Sequence, residues 1–319
     1  MKRVSITVIF FSILFSPVLA QQDTTQLDTK HSPTQIKALF QSAARTRNHW
    51  RLGAAFFARA QYAESVHQDY QSAILDYTKS AKIFLSLRDS LSYYTIITRL
   101  SGVYIVAEPS LIDQSRKELS RAILYFRRHN HLKRLGYALI NLGSAYQKQH
   151  RWKEAYPDYQ EAARIGAKIR DNYMGAITDH FFGNYYEVHH QYNKAIQYLQ
   201  KSYAWGRENN IGWLQARNLL YIGTNFYALR KYSQADHYLQ SALNVIIHKH
   251  PVLELKKETL VMLAKNCRAA RQYQQASLYA SQALVASDSL AASEKARDLR
   301  LFQRNLELEQ RKYELSKVE

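Results

Sequence analysis

The stretch "LINLGSAYQKQHRWKEAYPDYQEAA", residues 139–163, holds the frame that decides the fold. Gly143 and Tyr146 are three residues apart and share one face of a helix with Leu142. A polar turn follows, and Ala155, Tyr159 and Ala162 then mark one face of a second helix. The same six positions return as Phe182, Gly183, Tyr186, Ala195, Leu199 and Ser202. They return again as Ile222, Gly223, Phe226, Ala235, Leu239 and Ala242, with identical internal spacing and a period of 40 residues. A fourth row, Leu263, Ala264, Cys267, Ala276, Ala280 and Ala283, comes 41 residues later. Upstream, Leu100, Ser101, Tyr104, Ser115, Leu119 and Ala122 fit if "AEPSLID" carries a two-residue insertion, which Pro109 marks. Ala73, Tyr77 and Ser80 match the second helix of one more unit, whose first helix around Phe56 to Glu64 matches poorly.

Each row is an antiparallel helix pair. Gly143, Gly183 and Gly223 let a neighbouring helix approach closely, which offsets about 1 kcal/mol of lost helix propensity apiece. Ala155, Ala195, Ala235 and Ala276 play the small-residue part on the second helix. One pair cannot bury its apolar face, but stacked pairs can, so the fold class is an all-α solenoid. The junctions "RDN" at Arg170, "RENN" at Arg207 and "HKHP" at His248 recur at nearly the same period. Cations there complement the helix dipole, Asn tolerates the left-handed backbone that ends a helix, and Pro251 stops continuation. Pro157 lies inside the second helix of its unit and predicts a kink or a late helix start.

The six pairs fall at 52–91, 92–133, 134–173, 174–213, 214–253 and 254–289. Before them, residues 32–51 form a capping helix: Ser32 is the N-cap, Pro33 the first helical residue, and Gln35 closes a capping box. Residues 21–31 are a polar, flexible lead. Residues 1–20 have the layout of a signal peptide, with Lys2 and Arg3, the apolar "VSITVIFFSILF", then Val18 and Ala20 before the cut. An uncleaved N-terminal anchor is the alternative, and the expected location is the periplasm or cell envelope of a Gram-negative bacterium. After the repeats, residues 290–319 are charge-mixed and free of Gly and Pro. Leu299, Phe302, Leu306 and Tyr313 make a heptad-like stripe there, so the segment reads as a short coiled coil or as a helix that caps the solenoid.

The formal net charge of +18 admits anionic partners in general and predicts a weak attraction to anionic surfaces. Export disfavours nucleic acid. The single cysteine, Cys267, sits in the aromatic slot of its row and reads as a buried apolar residue. No phosphate-binding loop, dinucleotide fingerprint, zincin motif or nucleophile elbow is present, and the chain is read as non-enzymatic, without cofactor. The pairs His129 and His131, His189 and His190, and His248 and His250 fall at inter-helix turns without accompanying Cys or carboxylates, and read as solvated rather than metal-binding.

The frame of Gly, Tyr, Ala, Tyr and Ala resembles the tetratricopeptide repeat over about Leu52 to Ser289. The 40-residue period resembles the helical region of maltose-regulator-type transcription activators more than the usual repeat of about 34 residues. The resemblance implies a right-handed superhelix whose concave groove is lined by the first helix of each pair. The groove positions it implies are Tyr137, Asn141, Ser144 and Gln147, then Ile177, His180, Asn184 and Glu187. Arg217, Tyr221, Thr224 and Tyr227 follow, and then Val261, Lys265 and Arg268. Such a strip suits a protein or peptide partner. The chaperone-type version grips a carboxylate end with Lys, Asn and Arg; Asn184 and Arg217 are similar, but Ile140 and His180 stand where that pattern has Lys. Signal peptide, long repeats and charged helix together resemble the sensor half of Bacteroidetes-type tetratricopeptide sensor histidine kinases. A complete exported scaffold is the alternative, and self-association through the C-terminal helix is expected in either case to be tested at the tail.

Overall fold

The computed structural model describes residues 31–67 and 69–292. Residues 1–20, read above as a signal peptide, most of the polar lead and the heptad-like stripe lie outside the described residues. Among the described residues there are thirteen α-helices and no strand. They are α1 Pro33–Thr46, α2 His49–Tyr62, α3 Tyr70–Ser86, α4 Ser90–Ala107, α5 Ile112–Arg128, α6 Leu132–Lys148 and α7 Trp152–Ile169. Then come α8 Asn172–Val188, α9 Tyr192–Glu208, α10 Gly212–Ala228, α11 Tyr232–His248, α12 Leu253–Ala269 and α13 at 273–292. The chain divides into two compact units, Met1–Ala155 and Tyr156–Glu319.

In the first unit α1 carries the expected cap. Ser32 accepts from the Gln35 N–H, and the Gln35 side chain accepts from the Ser32 N–H at 2.8 Å. Helix α2 packs on α3, and α4 on α5. Ala73, Tyr77 and Ser80 are fully buried, and Ser80 Oγ donates to the Gly53 carbonyl at 2.7 Å. The first pair matches the frame poorly because α2 runs into a π-helical turn, Ala63–His67, before α3 begins. The slot twelve before Ala73 therefore falls on Gln61, which is not small. The insertion in "AEPSLID" is a 3-10 turn at Pro109–Leu111.

In the second unit α8 packs on α9 and α10 on α11. Gly183 faces Leu199 so closely that a methyl group in its place would sit 2.5 Å from the Leu199 Cγ. Gly223 faces Leu239 in the same way, at 2.7 Å. Ala195, Leu199, Ser202, Ala235, Leu239 and Ala242 are all fully buried. In the last pair Ala283 is buried, while Ala276 is half-buried and Ala280 exposed. Pro157 does not delay α7, which starts at Trp152; the proline is exposed and removes one backbone donor near the helix start.

Turn chemistry differs from the expectation. Among the described residues nine non-glycine residues adopt a positive φ, of which Asn130 and Asn210 are Asn; the others are Arg47, Arg88, His150, Arg170, His190, Arg230 and Arg271. Each is followed by an N–H that bonds back to the fifth residue before it, as Asp171 does to Gly166 at 2.9 Å and Lys231 to Phe226 at 2.9 Å. This is the Schellman closure of a helix end. A cation near the last carbonyls favours the helix dipole, which partly offsets the strain of a side chain in left-handed backbone.

Candidate functional site

The expected groove residues do not form one solvated strip. In the first unit Tyr137, Asn141, Ser144 and Gln147 are half-buried along α6, and Asn141 Nδ2 donates to the Thr98 carbonyl of α4 at 2.9 Å. In the second unit His180 and Asn184, expected to face solvent, are interior. Ile177 is buried as well. Their burial has a physical reason: they complete a hydrogen-bonded chain between helices. His180 Nδ1 donates to Asn218 Oδ1 at 2.8 Å, and Asn218 Nδ2 donates to Ser202 Oγ at 2.8 Å. Ser202 Oγ in turn donates to the Ala176 carbonyl at 2.7 Å. Asn184 Nδ2 then donates to His180 Nε2 at 3.3 Å, so a single neutral tautomer satisfies every bond. Burial holds the imidazole down to about 4, with Arg217 acting the same way and the Asn218 bond opposing.

Beside this chain lies a patch rich in acceptors. Glu187 of α8 accepts from Asn225 Nδ2 of α10 at 3.0 Å. Asn225 Nδ2 also donates to the Tyr221 carbonyl at 2.7 Å. Both of its N–H groups are thus used, and its Oδ1 is buried without a partner. Asn184 Oδ1, one turn before Glu187 on the same helix, is buried without a partner too. So is Asn266 Oδ1, whose amide donates to the Tyr232 carbonyl at 3.0 Å. Burial raises the Glu187 carboxyl to about 7; the Asn225 bond opposes this and the Glu258 charge adds to it. Tyr221, whose ring is 5.6 Å from His180, is pushed up to about 12 by burial and by Glu258, against Arg217. Arg217 itself is exposed. Thr224 bonds its own helix at Leu220, 3.0 Å, and Tyr227 lies 6.0 Å from Tyr232.

The remaining expected residues stand elsewhere. Val261, Lys265 and Arg268 line an open groove of ≈ 630 Å³ between α12 and α13, with Ala264, Ala276 and Ala280 at its floor. Sequence reasoning missed Asn218, Asn225 and Asn266. One signal was available: Asn184, Asn225 and Asn266 are 41 residues apart. It also missed a tyrosine cluster at the start of the second unit. There Tyr156 Oη and Tyr186 Oη are 3.1 Å apart, Tyr186 stacks on Tyr198 at 5.3 Å, and Lys194 Nζ lies 4.0 Å above the Tyr186 ring. Cys267 is buried, and burial raises its thiol. Among the described residues, no three His, Cys, Asp or Glu side chains converge, and no helix is long and apolar enough to cross a membrane.

No curated protein matches the sequence. Among solved structures, BtubC (BKLC) from P. vanneervenii is similar, with a TM-score of 0.57 at 14% identity over 70% of this chain and 92% of that one. A Rap protein complexed with Competence and Sporulation Factor also gives 0.57, at 14% identity over 76% of both chains. The apo quorum sensor NprR from B. thuringiensis gives 0.54, at 11% identity over 85% and 84%. At such identities the likeness is one of fold. Residues 134–208 match the tetratricopeptide repeat family. The match covers less than a quarter of the chain, and the pairwise packing of the helices on either side of it is of the same kind.

Proposed function

We propose that the chain is an exported, non-catalytic protein-binding scaffold and forms the extracytoplasmic sensor region of a signalling protein. The observation that carries the binding role is the acceptor-rich face of α8 and α10. Buried, mutually bonded side chains hold Glu187, Tyr221 and Asn225 in fixed positions beside the exposed Arg217, and Asn184 and Asn225 keep acceptors that the fold itself does not use. Unused buried acceptors are costly, at about 1–3 kcal/mol each, which is reason to look for a partner that supplies donors. The tetratricopeptide fold suits such binding, and the Rap structure of the same fold holds Competence and Sporulation Factor. Export rests on the signal-peptide layout of residues 1–20.

The test is affinity capture from the cell envelope with the wild-type chain and with Glu187→Gln, alongside the mass of the mature chain. A partner retained by the wild type and lost from the variant, on a chain cut after Ala20, supports the reading. A full-length cytosolic chain sinks the export claim. A wild type that retains nothing the variant does not also retain sinks the site.

A further inference from the structure

We propose that the α8–α10 face of the second unit is a receptor for a positively charged side chain, the ammonium of a lysine or the guanidinium of an arginine, presented by a peptide partner. This deepens the binding role proposed above and rests on it. The donor and acceptor inventory of the site points one way. The Glu187 carboxylate accepts from a neutral amide, Asn225 Nδ2, and no cation among the described residues offsets the burial that raises it. Asn225 is fully buried, and because both its N–H groups are spent, its Oδ1 is fixed as an unfilled acceptor one amide width from that carboxylate. Asn184 is 6% exposed and adds a second unfilled Oδ1 one turn away on the Glu187 face of α8. The Glu258 charge adds to the negative field at both Glu187 and Tyr221. A carboxylate and two amide oxygens, which can only accept, match an ammonium with three N–H groups or a guanidinium with five. They do not match a carboxylate chain end, the ligand that Asn184 and Arg217 suggest by their sequence alone. The site therefore selects the opposite charge from the one that the overall +18 would attract.

Binding should also be gated by pH. The charged and titratable groups around the carboxylate are Glu258, Arg217, Tyr221 and His180. Burial keeps Tyr221, at about 12, and His180, at about 4, neutral between pH 6 and 8. Glu187, at about 7, loses its proton in that interval, so affinity for a cation rises with pH.

The experiment is selection of a random surface-displayed peptide library on the whole chain at pH 8, repeated with Glu187→Gln. That variant keeps an oxygen to accept from Asn225, and circular dichroism checks that it folds. The expected result is enrichment of Lys and Arg over Asp and Glu. Synthetic copies of the selected peptides should bind about tenfold more weakly to Glu187→Gln. They should also bind more weakly to the wild type at pH 6 than at pH 8. Peptides that are acidic or neutral, or whose binding Glu187→Gln leaves unchanged, overturn the inference while leaving a peptide-binding scaffold in place. A library that yields no binder overturns both.

Discussion

At the scale of single residues, the small slots and the left-handed turns make opposite demands. Gly223 is required by Leu239, so Gly223→Ala should destabilise the chain by about 1–3 kcal/mol despite alanine's better helix propensity. Gly175 has nothing within 4 Å of where a Cβ would stand, and Gly175→Ala should stabilise by up to about 1 kcal/mol. The two variants, compared by urea denaturation, must move in opposite directions; a shared direction would refute the slot argument. The turns invite the reverse change. Arg230 has a φ of 57°, so Arg230→Gly should relieve up to about 1 kcal/mol of strain relative to Arg230→Ala. A glycine variant less stable than the alanine variant would show that position 230 is not strained. The slot glycines are visible in the sequence because a 40-residue period repeats them. The turn residues are not, because arginine and histidine at a helix end read first as partners of the dipole.

At the scale of elements, the helix pairs were legible and the polar packing between them was not. Periodicity fixes which face of α8 or α10 meets its pair-mate, since apolar side chains announce it. A polar residue on the remaining face reads the same whether it meets water or another amide, so His180 and Asn184 were placed toward solvent. The structure turns them inward, because Asn218 and Ser202 complete their bonds. This burial has a signed consequence for acid stability. His180 titrates near 4 in the fold against 6.5 unfolded, so below pH 6.5 the unfolded chain takes up the proton first. The loss runs from pH 6.5 down to about 4 and reaches about 3 kcal/mol at about 1.4 kcal/mol per pH unit. Glu187 and Asp179, raised to about 7 and about 6, are protonated first in the fold, so they add stability as pH falls through the same range. Two gains of that size outweigh one loss, so the wild type should gain stability in mild acid. The double variant Glu187→Gln, Asp179→Asn should lose stability steeply between pH 6.5 and 4, and adding His180→Gln should flatten the curve. Equal slopes in all three by denaturant titration would place the controlling proton elsewhere.

At the scale of the whole molecule, charge is the property that neither the repeat frame nor the local site determines. The chain carries +18, while several ion pairs among the described residues are surface contacts between residues three apart, such as Arg116 with Asp113. Such pairs contribute little. Arg59 with Asp76 is the exception, joining α2 to α3 through two bonds of 2.6 and 2.8 Å onto a carboxylate that is largely buried. A chain with so large an excess of one sign is strained by its own field, and added salt shortens the reach of that repulsion. Raising ionic strength from about 0.01 M to about 0.15 M, which shortens the screening length from about 30 Å to about 8 Å, should raise the melting temperature. A gain of about 1 kcal/mol corresponds to roughly 2–4 °C in a domain of 150–250 residues. If the +18 were instead neutralised through attractive networks, salt would lower the melting temperature, and scanning calorimetry at the two ionic strengths separates the cases. The cation site behaves in the opposite sense, because salt weakens its one attraction while relieving the molecule's general repulsion of a basic peptide. Affinity for a Lys- or Arg-bearing peptide should therefore change little with ionic strength, whereas a short acidic peptide drawn only by the net charge should bind more weakly as salt is added.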